Sequence, residues 1–169
     1  MAVERTEPGY RRDERAMLEA WLEYHRATLE LKCDDLTVDE LRERSVPPSS
    51  LSLLGLVRHM AEVERNWFRR VLADEDAGYI FCTDDDLDAD FDRVDTANPD
   101  EDFAVWRAEC ARARDNAAAV ESLDDVGRRQ RRGEDVSLRW IYVHMIEEYA
   151  RHNGHADLLR ERIDGATGE

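Results

Sequence analysis

At 169 residues, the chain falls within the usual size of one domain and is long enough to bury a core. Charged residues make up 38% of it, and its formal net charge is −16. Nucleic acids and anionic membranes repel such a surface, so neither is expected as a partner. The N-terminus has no secretory pattern, and no apolar run reaches the roughly 18 residues of a membrane span. We therefore expect one cytoplasmic domain over residues 1–169.

The cysteine pattern also favours the cytoplasm. Cys33, Cys82 and Cys110 are an odd, widely spaced set without a CxxC pair. This pattern is typical of reduced, mostly buried thiols and not of a disulfide framework.

Apolar residues at helical spacing predict four long helices, at about residues 12–32, 51–73, 99–122 and 137–163. Thr37 and Glu40 form a capping-box pattern, which predicts a short helical turn over residues 38–44. No stretch keeps strand periodicity. The sequence therefore predicts an all-α protein, a four-helix bundle.

A long acidic connection separates the second and third helices, over residues 74–102. We interpret it as a solvated connection that is pinned to the molecule by a few apolar side chains: Tyr79, Ile80, Phe81, Leu87 and Phe91. Its many aspartates lack the order of an EF-hand calcium loop. A connection of this length within one domain is usually functional or partly mobile, and the sequence does not show whether it is ordered.

The last helix interrupts its own apolar stripe with polar residues. Leu138, Ile141 and Met145 are followed on the same face by Glu148, His152 and His155, before Leu159 restores the stripe. Burying a carboxylate and imidazoles without partners costs several kcal/mol, on the order of 2–7 for each neutral polar group. A bound divalent metal is the first expectation.

Glu148 and His152 lie four residues apart, so both can reach one ion from the same helix face. His59 is the best third ligand because it borders the apolar stripe of the second helix, whose opposite face carries Arg58. Two imidazoles and one carboxylate leave a coordination position open, as in catalytic metal sites. His144 and His155 are alternative ligands or supporting residues, and hydrogen-bonded core histidines are the plain alternative.

Two stretches resemble the DinB-like superfamily, and in particular the branch typified by the N-terminal domain of mycothiol-dependent maleylpyruvate isomerase. They are SLLGLVRHMAEVERNWF at residues 52–68 and SLRWIYVHMIEEYARHNGHADLLRE at residues 137–161. WLEYHRATLELK in the first helix gives weaker support. The three stretches touch three of the four predicted helices.

The resemblance implies a four-helix bundle that binds a divalent metal through a histidine of the second helix and an HxxxH pair of the fourth. On that pattern His59 and His152 are ligands, and Glu148 replaces the first histidine of the pair, as in the isomerase branch. The resemblance also implies homodimers and transfer or isomerisation chemistry with mycothiol. The sequence shows no counterpart of the isomerase's C-terminal domain, so that enzyme's substrate and reaction cannot be carried over to this chain.

The leading hypothesis is a metalloenzyme that acts on a small molecule, with zinc as the first expected metal and nickel, iron or manganese as alternatives. Mycothiol is the expected thiol cofactor. A second hypothesis is a non-catalytic dimeric bundle, a binding or sensor module whose polar core is structural. A third is metal-dependent hydrolysis with Glu147 as the base, although a solvated glutamate is the simpler interpretation of that residue.

Overall fold

A computed structural model describes residues 4–168; residues 1–3 and 169 of the predicted domain lie outside that range. Its four long helices are α1 (Glu14–Cys33), α3 (Leu53–Glu64, continued by a π-helical segment, Arg65–Leu72), α5 (Pro99–Ala118) and α6 (Leu138–Asp164). Two short helices, α2 (Val38–Arg42) and α4 (Ala89–Asp92), lie in the connections. Among the described residues there is no strand, so the all-α prediction is confirmed.

Local sequence signals set where the helices begin and end. Ser52 and Ser137 accept hydrogen bonds from backbone N–H groups in the first turns of α3 and α6. The capping box between Thr37 and Glu40 is present, as predicted. Gly165 ends α6 in the left-handed conformation, at φ 80°.

A side chain from α1 binds the C-terminal end of α5. The guanidinium of Arg15, from α1, donates hydrogen bonds to the carbonyls of Ala117 (2.7 Å) and Val120 (2.8 Å). The Ala117 carbonyl also accepts from the backbone N–H of Val120 at 3.1 Å, so the arginine adds to the bonds of the last turn. The helix ends at Ala118 and not near residue 122 as the apolar spacing suggests.

A buried polar network joins the four long helices. Arg26 of α1 donates from Nε and Nη2 to the two carboxylate oxygens of Glu64, at 2.7 and 2.6 Å. Tyr149 of α6 donates to Glu64 at 2.8 Å, and Trp106 of α5 donates to the Tyr149 hydroxyl at 2.9 Å. Glu64 is fully buried and Arg26 is 4% exposed. The charges are thus paired where water is absent.

This network was missed by the sequence analysis, although the sequence holds a signal for it. Glu64 lies four residues after Met60, and Arg26 lies four residues after Leu22, so both charges fall within apolar stripes. A charge within a stripe indicates a buried partner.

The acidic connection is only partly as predicted. Ile80, Phe81 and Phe91 pack against the core, but Tyr79 and Leu87 are exposed, so these two do not pin it. The interpretation as a solvated segment is wrong at Asp90, which is 2% exposed. Strand or helix periodicity is absent there, so the sequence does not show which aspartate faces inward.

Arg58 explains why part of the connection is buried. Its guanidinium donates to the backbone carbonyls of Asp90 (3.0 Å) and Ala89 (3.4 Å) and to the carboxylate of Asp102 (3.1 Å). These bonds attach α4 to the face of α3 that carries Arg58. The sequence pattern predicts this face to be polar, opposite the apolar stripe. Arg58 is itself buried as a result.

The three cysteines are buried and free, as predicted. Burial raises the pKa of Cys33 to about 12 and that of Cys82 to about 11. These thiols are therefore protonated and unreactive at neutral pH. Within residues 4–168, no helix is both long and apolar enough to cross a membrane.

Replacing Glu64 with glutamine should destabilise the fold strongly, because Arg26 would lose its fully buried counter-charge and keep only Glu23, whose side chain is 45% exposed. We expect the free energy of unfolding to fall by about 3–5 kcal/mol, measured by urea denaturation. The control is Arg93→Gln, which removes the exposed pair with Asp86 and should cost no more than about 1 kcal/mol. Equal losses in the two variants would contradict the role given to Glu64.

Candidate metal centre

Helices α3 and α6 pack against each other and bring together the three predicted ligands. One donor atom from each of His59, Glu148 and His152 lies within 4.8 Å of the others. The Nε2 atom of His152 is 3.5 Å from Oε2 of Glu148, and the rings of His59 and His152 are 4.8 Å apart between centroids. The structure thus gathers the predicted set, while its binding of a metal stays a prediction.

The two oxygens of Glu148 face different imidazoles. Oε2 faces His152, whereas Oε1 is 3.5 Å from Nε2 of His144. The His144 ring is stacked on Trp140 at 4.8 Å and lies edge-on to Trp67 at 4.7 Å. His144 therefore lies beside the predicted ligand carboxylate and is held there by two tryptophans.

A second group, His144 with Glu147 and Glu148, also has donor atoms within 4.8 Å of one another. Glu147 is exposed, however, and forms an ion pair with Arg151. Because its carboxylate already has a charged partner in solvent, Glu147 is a weaker ligand than the three gathered around His152. The same pairing argues against Glu147 as the base of a hydrolytic reaction.

Asp90 is the residue of this site that the sequence analysis missed. Its Oδ2 atom is 2.8 Å from Nδ1 of His59, and the neighbouring Phe91 stacks on the same imidazole with ring centroids 4.6 Å apart. With Nδ1–H donating to the carboxylate, Nε2 of His59 is the nitrogen left for a ligand bond. No local pattern distinguishes this aspartate from the others of the connection.

His155 lies next to the group as a neighbour of His152. The Nδ1 atoms of the two imidazoles are 3.4 Å apart. Burial is the main cause that lowers the pKa of His152 to about 3, and His59, His155 and Arg151 add to the lowering. His152 and Glu148 are therefore a neutral imidazole beside a carboxylate, and not an ion pair. Neutral imidazole is the form that binds metals.

Comparison with known protein families tests the resemblance to the DinB-like superfamily. A family model described as mycothiol-S-transferase matches residues 17–165. The chain belongs to the mycothiol-S-transferase family. This family is DinB-like, so the predicted superfamily is confirmed over nearly the whole chain. The match includes α3 and α6, the two helices that carry the gathered residues.

A solved structure shows the same fold. The crystal structure of a conserved protein from Enterococcus faecalis has a TM-score of 0.65, with 16% sequence identity, and the match covers 92% of this chain and 100% of that one. At this identity the likeness concerns the fold alone. No curated protein matches the sequence. The mycothiol-S-transferase family match is therefore what bears on function.

The metal-free protein should lose stability as the pH falls below 6.5. Unfolded His152 binds a proton near its ordinary pKa of 6.5, whereas in the fold its pKa is about 3, so protonation favours the unfolded state between these values. This histidine should contribute a loss of up to about 1.4 kcal/mol per pH unit. Urea denaturation in the presence of a chelator measures it, and His152→Gln should remove this part of the slope. Parallel pH profiles of the two proteins would contradict the lowered pKa.

Proposed function

We propose that this chain is a metal-dependent enzyme that transfers a small thiol, mycothiol, to an electrophilic small molecule, with a divalent metal held by His59, Glu148 and His152. Membership of the mycothiol-S-transferase family supports the thiol. The metal site is supported by the close approach of two imidazoles and a carboxylate from two helices.

The donor set fits zinc. Zinc binds nitrogen and oxygen ligands at about 2.0–2.2 Å, so neighbouring ligands of a tetrahedral site lie about 3.4 Å apart. The 3.5 Å between Glu148 and His152 agrees with that spacing. Three protein ligands leave one position for a thiol sulfur. The same donors also suit nickel, iron and manganese, so zinc is the first choice among these.

A bound divalent metal lowers the pKa of a coordinated thiol, which supplies a thiolate nucleophile at neutral pH. The chain's own residues prepare the site for it. His152 is neutral and keeps its lone pair, and Glu148 places a carboxylate oxygen 3.5 Å from it. Asp90 fixes the tautomer and orientation of His59, and the Phe91 ring covers one face of that imidazole.

The alternative of a non-catalytic module has weaker support. It requires that the polar groups of the core satisfy one another or pair with arginine. In the described part of the chain no arginine pairs with Glu148, whose neighbours are the imidazoles of His144 and His152. A carboxylate that faces only imidazoles is more consistent with a metal site.

The homodimer and the cytoplasmic location stay predictions. Exposed apolar side chains on α6, from Trp140, Val143 and Leu158, offer a surface for a second copy. Sedimentation of the purified chain tests this, and a monomer at tens of micromolar would exclude it. The free, buried cysteines agree with a reducing compartment.

Removing either imidazole ligand should remove both metal and activity. We expect the wild-type protein to hold zinc and to consume mycothiol with an electrophile, and we expect His59→Ala and His152→Ala to lose most of the metal and the reaction. Elemental analysis measures the metal content, and an assay of thiol consumption measures the activity. His25→Ala is the control, because His25 lies outside the group. Undiminished metal in both ligand variants would exclude the site, whereas metal without thiol consumption would exclude only the reaction.

Asp90→Asn should weaken metal binding without removing a ligand. An amide in place of the carboxylate no longer stabilises the donating Nδ1–H of His59, and loss of such a partner costs about 10–100-fold in metal affinity. Competition with a chromophoric chelator measures the affinity. Asp92→Asn is the matched control, since Asp92 is an exposed aspartate of the same short helix. Equal affinities in the two variants would show that Asp90 has no such role.

A further inference from the structure

A groove separates α1 from α5. Helix α1 packs mainly along α6, and α5 packs mainly along α3, so the facing sides of α1 and α5 are joined by side chains across a gap. One cavity in this groove has a volume of about 330 Å³. Its apolar floor is formed by Leu22, Phe68, Ala113, Ala117 and Tyr142. None of these residues belongs to the group around His152.

Small side chains keep the groove open. Helix α5 presents Ala113, Ala117 and Ala118 to the cavity, where larger residues would reach α1. The rings of Phe68 and Tyr142 stand edge to face on the floor, with centroids 6.0 Å apart. A cavity of about 150 Å³ already holds a benzene molecule in a protein core. This one has room for an aromatic ring with a small substituent.

The charges around the cavity are balanced. Glu23 accepts two hydrogen bonds from Arg114, at 2.8 and 2.7 Å, and one from Arg26 at 2.6 Å. Arg26 is also bound to Glu64, and Glu19 is bound to Arg15. Three arginines are thus matched by three glutamates. An anion or a cation would enter without a free counter-charge, and the net charge of −16 disfavours anions further.

One hydrogen-bond donor of a residue that lines the cavity, the half-exposed Arg114, has no protein acceptor. Arg114 uses Nε and Nη2 to bind Glu23, and its Nη1 group has no acceptor among the described residues. A neutral oxygen acceptor, such as a carbonyl, suits this group without disturbing the ion pair.

We infer that the groove between α1 and α5 is a second small-molecule site, which takes a compact neutral aromatic molecule with one carbonyl oxygen. The ring lies against Phe68 and Tyr142, and the oxygen accepts a hydrogen bond from Arg114. The site does not depend on the metal or on the reaction proposed for the group around His152.

Acetophenone is the probe, titrated into the full chain and followed by amide NMR. We expect saturable shifts at Leu22, Ala113 and Ala117, with a Kd on the order of 1 mM or tighter. Ala118→Trp should block the cavity from an exposed position that leaves the core intact. Affinity should fall about tenfold or more, which corresponds to about 1.4 kcal/mol. Ala119→Trp, an exposed neighbour that does not line the cavity, should bind as the wild type does.

Benzoate and benzylamine test the charge of the ligand with the same ring. Both should bind more weakly than acetophenone, and tighter binding of either would overturn the assignment of a neutral ligand. Absence of saturable shifts at the groove, or equal affinity in the Ala118→Trp and Ala119→Trp variants, would overturn the site itself.

Discussion

The ion pair between Arg26 and Glu64 is the constraint on which the bundle depends. Two full charges are held away from water, which is tolerable only because both guanidinium hydrogen bonds have good geometry and Tyr149 supplies a third. The pair therefore fixes α1, α3 and α6 relative to one another. His59 lies five residues before Glu64, and Glu148 lies directly before Tyr149 in the sequence. The network thus sets the register in which the predicted ligands of α3 and α6 meet.

The candidate metal centre includes a residue of the acidic connection as well as residues of the long helices. Arg58 attaches α4 to α3 through backbone carbonyls, and that attachment places Asp90 against His59. The acidic connection therefore has two physical roles. Most of its aspartates are exposed and add to the negative surface, whereas Asp90 is buried against an imidazole and Asp102 is buried against Arg58. Helices α3 and α5 run parallel, because Arg58 pairs with Asp102 and Arg65 pairs with Glu109, so the connection between them must return along the bundle.

The interior has two polar regions of opposite character. Around His152, burial keeps an imidazole neutral, and its lone pair is free for a metal. Around Arg26, every charge is matched by another, so the region holds the helices together and leaves the adjoining groove electrically neutral. The metal-dependent transfer proposed above needs only the first of these regions for its chemistry. The second explains how α1 and α5 stay joined although they do not pack closely.

The sequence by itself determined the four helices, their caps and the group of His59, Glu148 and His152. Helical periodicity and capping are local, and residues four apart on a helix share a face in any fold. The sequence also placed the chain in its superfamily through two helical motifs. Only the tertiary structure shows that Asp90 faces inward and that Arg15 binds the carbonyls at the end of α5. These contacts join residues far apart in the chain, across a segment without periodicity, so no local pattern records them.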